Sequence, residues 1–157
     1  MLSRFLIVAA ALWASVAFSS AHAQPIVTAD PGRYATEFSD RMSVGGVAPL
    51  RVLYNEMFAN ASLPANIEAA LLTYERGITN PRALRSEVVE DIALSQSYRA
   101  IYTYAYYGSN SWIFVRLDFV RIGADEWALS AASFGSEWNS VAIAATPSFV
   151  SNRGNRR

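Results

Sequence analysis

The stretch Ser97–Phe134, SYRAIYTYAYYGSNSWIFVRLDFVRIGADEWALSAASF, decides the fold. It is the densest aromatic and β-branched region of the chain, and such residues suit a pleated, half-buried surface. Two turn signals divide it. Gly108-Ser109-Asn110-Ser111 and Gly123-Ala124-Asp125 hold residue types that accept the backbone angles of tight turns. Three antiparallel strands follow, at about Tyr98–Tyr107, Trp112–Ile122 and Glu126–Phe134. A two-residue loop at Ser109-Asn110 sets Tyr107 opposite Trp112, Tyr106 opposite Ile113, Tyr104 opposite Val115 and Tyr102 opposite Leu117. The second turn sets Ile122 opposite Glu126, Arg121 opposite Trp127 and Phe119 opposite Leu129.

Side chains alternate across a strand, so the register assigns faces. One face collects Tyr102, Tyr104, Tyr106, Ile113, Val115, Leu117, Phe119, Trp127 and Leu129. The other collects Arg99, Thr103, Trp112, Phe114, Arg116, Asp118, Glu126 and Ser130. The first is nearly all apolar and needs a cover. The segment before the strands can supply it. Asp30-Pro31 is an N-cap followed by a first-turn proline. Tyr34, Phe38 and Met42 then form one apolar stripe, closed by Gly45-Gly46. A second helix begins at Pro49, with Leu50, Leu53, Tyr54, Met57 and Phe58 in helical period. A third begins near Pro64, with Ile67, Leu71 and Tyr74 on one side and Arg76-Gly77 at its end.

Residues 82–94 read two ways. Leu84, Val88 and Ile92 share a helical spacing, whereas Val88, Glu90 and Ile92 alternate as in a strand. We take a helical turn at Pro81–Arg85 and then a strand at Glu87–Ala93. Beyond Phe134, residues 135–139 are a turn and Val141–Ala145 a last edge strand. The fold expected is α+β, with N-terminal helices packed on one face of a curved, cone-like antiparallel meander. It forms a single domain over residues 24–145, followed by a disordered polar tail over 146–157.

Residues 1–23 carry the marks of a secretory leader: Arg4, an apolar run Phe5–Phe18, and Ala21-His22-Ala23 as a small-x-small cleavage site. Cleavage after Ala23 would leave 134 of the 157 residues in the periplasm or outside the cell, with no membrane attachment. The leader takes one of 13 arginines with it, so 12 basic side chains remain against 13 acidic ones. That balance argues against nucleic acid as a partner, because phosphate binding needs a positive excess.

Absent residue types narrow the chemistry. The chain has no Cys and no Lys, and its one His is His22, inside the leader. The commonest general acid/base, the thiolate, the Schiff-base amine and the Ser–His pair are thereby missing from the mature domain. So are the N and S ligands of zinc, copper and haem. We expect no catalytic residue, no metal and no cofactor. Glu87, Glu90 and Asp91 match no calcium-loop spacing. A carboxylate-dependent hydrolase or isomerase, using Asp118 or a Glu from 87 to 90 with a Tyr, stays as an alternative.

Two candidate sites follow from the faces. Tyr102, Tyr104, Tyr106 and Trp127 are placed to line a small apolar pocket between helices and sheet; a tyrosine-rich core is the competing reading. Trp112, Phe114, Arg116 and Asp118 lie on the opposite face, where large aromatics beside an arginine are typical of an interface. A surface ion pair of little worth is the plainer reading of Arg116 and Asp118. A small apolar ligand, a protein partner or a homodimer are the partners that follow.

Leader, helices, and a meander with Trp127-Ala128-Leu129 in its third strand and a closing Phe134 together resemble small exported bacterial domains of the nuclear-transport-factor-like, cystatin-like group. The resemblance spans about Asp30–Trp138 and is one of layout. It implies a helix-lined cone open to a ligand, in a binding or dimerising module. Enzymes of that group rely on a pocket His or Asp. Here the mature chain has no His, and Asp118 is expected to face away from the cone.

Overall fold

A computed structural model describes residues 25–59, 61–108 and 111–142. The leader expected over residues 1–23 and the polar tail expected over 146–157 lie outside them. In chain order the elements are β1 (Val27–Thr28), α1 (Pro31–Gly45), α2 (Ala48–Met57), α3 (Ala65–Gly77), β2 (Arg85–Ser95), β3 (Tyr98–Tyr106), β4 (Trp112–Arg121), β5 (Trp127–Gly135) and α4 (Trp138–Val141). The five strands form one antiparallel sheet in the order β1-β5-β4-β3-β2. It is an open α+β meander with α1 to α3 on one face.

Local chemistry explains the helices. The Asp30 carboxylate accepts from the amides of Gly32 (2.9 Å) and Arg33 (3.1 Å), satisfying two donors that the first turn leaves free. Gly46 ends α1 at φ 58° and ψ −125°, angles that strain any residue with a Cβ. Ala35, Phe38 and Met42 of α1, Leu50, Leu53 and Tyr54 of α2 and Leu71 of α3 are buried against Ile101, Ala105, Tyr107, Ile113, Val115, Leu117, Phe119 and Leu129 of the sheet. Two phenols tie the layers by hydrogen bonds. Tyr107 donates to the carbonyls of Met42 (2.8 Å) and Gly46 (3.1 Å), and Tyr54 donates to that of Ala132 (2.8 Å).

The β3–β4 pairing differs by one residue from the sequence expectation. The loop closes between Tyr107 and Ser111: the Tyr107 amide donates to the Ser111 carbonyl at 2.9 Å, and the Ser111 amide to Gly108 at 2.8 Å. Tyr106 therefore pairs with Trp112, Tyr104 with Phe114, Thr103 with Val115 and Tyr102 with Arg116. A one-residue slip reverses a strand relative to its partner. Ile101, Thr103, Ala105 and Tyr107 face the helices, and Tyr102, Tyr104 and Tyr106 face away. Apart from Arg99 and Thr103, β3 is apolar or aromatic on both sides, so its own alternation could not choose between the two registers.

The β4–β5 register is as expected: Arg121 pairs with Trp127 and Phe119 with Leu129. A bulge then intervenes, because Asp118 pairs with Ala131. Ser130 is the extra residue, and its hydroxyl donates to the Asp118 carbonyl at 3.0 Å. The bulge keeps Ala132 and Phe134 on the helix side with Trp127 and Leu129.

Residues 85–95 are a strand, and no helical turn precedes it. β2 is the long edge of the sheet, and two register shifts break it, between Val88 and Glu90 and between Ala93 and Ser95. With Arg85, Glu87, Glu90 and Asp91 along it, this edge is poorly suited to pairing with another strand. The opposite edge, β1, has two residues. Where an edge strand was expected at Val141, the chain instead makes the single turn α4; 143–145 lie outside the described residues. α4 packs on the side of the sheet opposite α1 to α3, with Val141 buried beside Ala100 and Tyr102.

Candidate functional site

The reversed β3 places the tyrosines beside the aromatics of β4. On the outer face the rings of Tyr106 and Trp112 stack at 4.2 Å and 24°. Trp112 and Phe114 are parallel within 4° at 5.9 Å. Tyr104 touches both, at 5.4 and 6.1 Å. Trp138 from α4 continues the cluster, 5.9 Å from Phe114 and 5.1 Å from Tyr102. Tyr102 is buried beneath it, whereas Tyr104, Tyr106, Trp112 and Phe114 keep part of their surface in water. Offset and tilted ring pairs of this kind contribute about 0.5–1.5 kcal/mol each beyond their buried area.

Charged groups border the strip. The Tyr104 hydroxyl donates to Glu87 Oε1 at 2.8 Å, and Arg85 pairs with the same carboxylate at 3.0 Å. The hydrogen bond from Tyr104, and then that from Arg85, hold the Glu87 carboxyl below its usual range. Desolvation first, and Glu87 second, raise the Tyr104 phenol. Further along, Arg116 Nε donates to Asp118 Oδ1 at 2.8 Å, with the carboxylate side chain only 7 % exposed. Burial disfavours the charge on Arg116, but Asp118 and the Tyr98 hydroxyl outweigh it and raise the guanidinium. This is not a solvated surface pair, since the two side chains keep only 20 % and 7 % of their surface exposed.

Trp112, Phe114, Arg116 and Asp118, the residues expected at an interface, thus lie together on one face. The foreseen pocket wall does not assemble there or elsewhere: Tyr102, Tyr104 and Tyr106 are on the outer face, and Trp127 is on the helix side. Arg99 also differs from expectation. It faces the helix side, forks onto Asp91 and lies 5.8 Å from the centre of the Trp127 ring. Two contributors were missed, Trp138 and Val141. Their spacing of three is one helical turn, a signal present in the sequence but masked by its shortness. Gly135 makes that turn possible, because a Cβ there would collide with the Ser140 hydroxyl.

Among the described residues, no cluster of three or more His, Cys, Asp or Glu side chains is placed to hold a metal ion. None of their helices is long and apolar enough to cross a membrane. No family model, curated protein or solved structure matches the chain.

Proposed function

We propose that this chain is an exported, non-catalytic interaction domain that pairs with a second copy of itself through the outer face of its sheet. The observation that carries the reading is the aromatic strip itself. Tyr104, Tyr106, Trp112 and Phe114 hold one another in ring contact yet stay partly exposed, on the side away from the helices. Trp, Tyr and Arg are the residues that dominate the buried centres of interfaces.

The occupant is a second copy because nothing repels one. With the leader removed the formal charge is −1, from 12 basic and 13 acidic side chains, and near-neutral proteins lack the self-repulsion that keeps monomers apart. The charges at the strip come in both signs, Arg85 with Glu87 and Arg116 with Asp118, which suits a self-complementary two-fold contact. The sheet edges are short or broken by bulges, so a face contact is favoured over edge pairing. Export to the periplasm or the medium rests on the leader features of residues 1–23. The layout of three helices over a meander is in keeping with the nuclear-transport-factor-like, cystatin-like group, in which dimerising modules are familiar.

Sedimentation equilibrium across the micromolar range tests the reading. A dimer is expected for the wild-type chain, and a folded monomer of somewhat lower melting temperature, having lost the ring contacts of Trp112 and Tyr106, for the double variant Tyr106→Ser, Trp112→Ser. A wild-type chain that stays monomeric throughout the range overturns it, as does a dimer that survives both substitutions.

A further inference from the structure

A cleft on the helix-bearing face, at the turn between β2 and β3, is separate from the outer strip. Asp91, Ala93, Ser95, Gln96, Arg99 and Trp127 line it, and it is a shallow, open depression of about 430 Å³. It opens beside the start of α1: a Cβ on Gly32 would stand 3.6 Å from the Asp91 carboxylate and 3.8 Å from the Arg99 guanidinium.

The chemistry of the lining is specific. Arg99 engages Asp91 through Nε and one terminal nitrogen, and a guanidinium bound that way still has unused N–H donors. The Asp91 carboxylate likewise has lone pairs to spare. Within the lining these two charges cancel, so the lining itself exerts little net pull on an ion. A charged ligand would also have to compete with a pair already made. What the cleft offers is the exposed part of an indole otherwise packed on the core and flanked by Arg99 and Arg121, edged by groups that donate and accept: guanidinium, carboxylate, the Gln96 amide and the Ser95 hydroxyl. The neighbouring Arg121 is held by the carbonyls of Gly123 and Ala124 and lies 5.8 Å from the same indole.

We propose that this cleft binds a neutral saccharide, with one pyranose ring against Trp127 and its hydroxyls on Asp91, Arg99 and Gln96. A pyranose has an apolar C–H face that carries partial positive charge, which complements the negative face of an aromatic ring. Each of its hydroxyls both donates and accepts, so it can bridge an arginine and a carboxylate without disturbing their neutrality. An aromatic wall with a few convergent polar groups is the usual composition of a small-molecule site.

Saturation-transfer NMR on the full domain tests this with methyl glucoside, methyl galactoside and N-acetylglucosamine, and with glutamate and betaine as charged counter-probes. Transfer to ring C–H protons is expected for at least one saccharide, with a matching shift of the Trp127 indole N–H. Trp127→Ala should abolish the transfer. Gln96→Ala, at an exposed turn where the fold does not depend on it, should weaken it several-fold. The proposal fails if no saccharide shows transfer or if transfer survives both substitutions. It also fails if glutamate or betaine gives the stronger signal.

Discussion

The Trp138 indole lies 5.1 Å from the Tyr102 ring, on the side of the sheet opposite the three long helices. That contact, with Val141 beside it, makes a single helical turn into a clasp over the middle of the outer face. Below the clasp lie Ala100 and Tyr102; beyond it lies the open strip of Tyr104, Tyr106 and Trp112. The division explains why one end of the face is buried and the other is not.

Removing the clasp should therefore destabilise the domain without touching its main core. Trp138→Ala takes away a half-buried ring with two aromatic neighbours. Full truncation of a buried Trp costs about 3–5 kcal/mol, and partial exposure reduces this to roughly 1–3 kcal/mol. Gly135→Ala should act in the same direction by pushing the Ser140 turn away. Urea unfolding checks both, and wild-type stability in either variant would show that the clasp holds nothing.

The phenol of Tyr107 is a second test, this time inside the core. Its hydroxyl reaches two carbonyls near the end of α1, those of Met42 and Gly46. Tyr107→Phe keeps the ring and leaves both acceptors unmet, for a loss of about 1–3 kcal/mol. Burial also raises the Tyr107 phenol strongly and pushes that of Tyr54 up to about 12. A phenol raised in the folded state favours folding below its unfolded pKa, and this contribution is lost as pH climbs from about 10 toward the folded value. Stability should fall steeply over that alkaline window, and less steeply in Tyr54→Phe and Tyr107→Phe.

Acid should report on the strip. Tyr104 and Arg85 hold Glu87 below its ordinary value, so its contribution is complete above the unfolded pKa, near 4.5. It disappears as pH falls through the lower folded value. Wild type and Glu87→Gln should thus differ in melting temperature at neutral pH, and by less at pH 3. An equal gap at both pH values would show that the carboxylate charge plays no part.

How much of this was legible beforehand depends on where the pattern was unambiguous. Asp30-Pro31, the Phe38 and Met42 stripe and the Trp127–Leu129 step each had one physical reading, and the helices and β5 followed. β4 alternates cleanly, with Ile113, Val115, Leu117 and Phe119 against Trp112, Phe114, Arg116 and Asp118. β3 does not alternate: its two sides are Ala100, Tyr102, Tyr104 and Tyr106 against Ile101, Thr103, Ala105 and Tyr107. Tyrosine is at home in a core or at a wet face, so only the loop could settle the register, and Gly108 at φ 84° permits more than one closure. Trp112, Phe114, Arg116 and Asp118 sit on β4, and their shared face is the one its alternation gives. The pocket residues sit mostly on β3 and were reversed with it.

Two glycines at helix ends look alike in sequence and should respond oppositely to alanine. Gly46 follows α1 at φ 58°, and a Cβ there would stand 3.2 Å from Pro81 Cβ and 3.3 Å from Pro81 Cα. Both the backbone angles and the contact oppose a side chain, so Gly46→Ala should cost about 1–3 kcal/mol. Gly77 is the last residue of α3, and a Cβ there would meet nothing within 4 Å. Alanine at 77 loses less backbone entropy on folding and suits a helix better, so Gly77→Ala should stabilise by up to about 1 kcal/mol. Thermal or urea unfolding of the two single variants reads the opposite signs directly. Two destabilised proteins would mean that the end of α3 is held by its backbone in a way an alanine disturbs; two stabilised ones would contradict the close approach of Gly46 to Pro81.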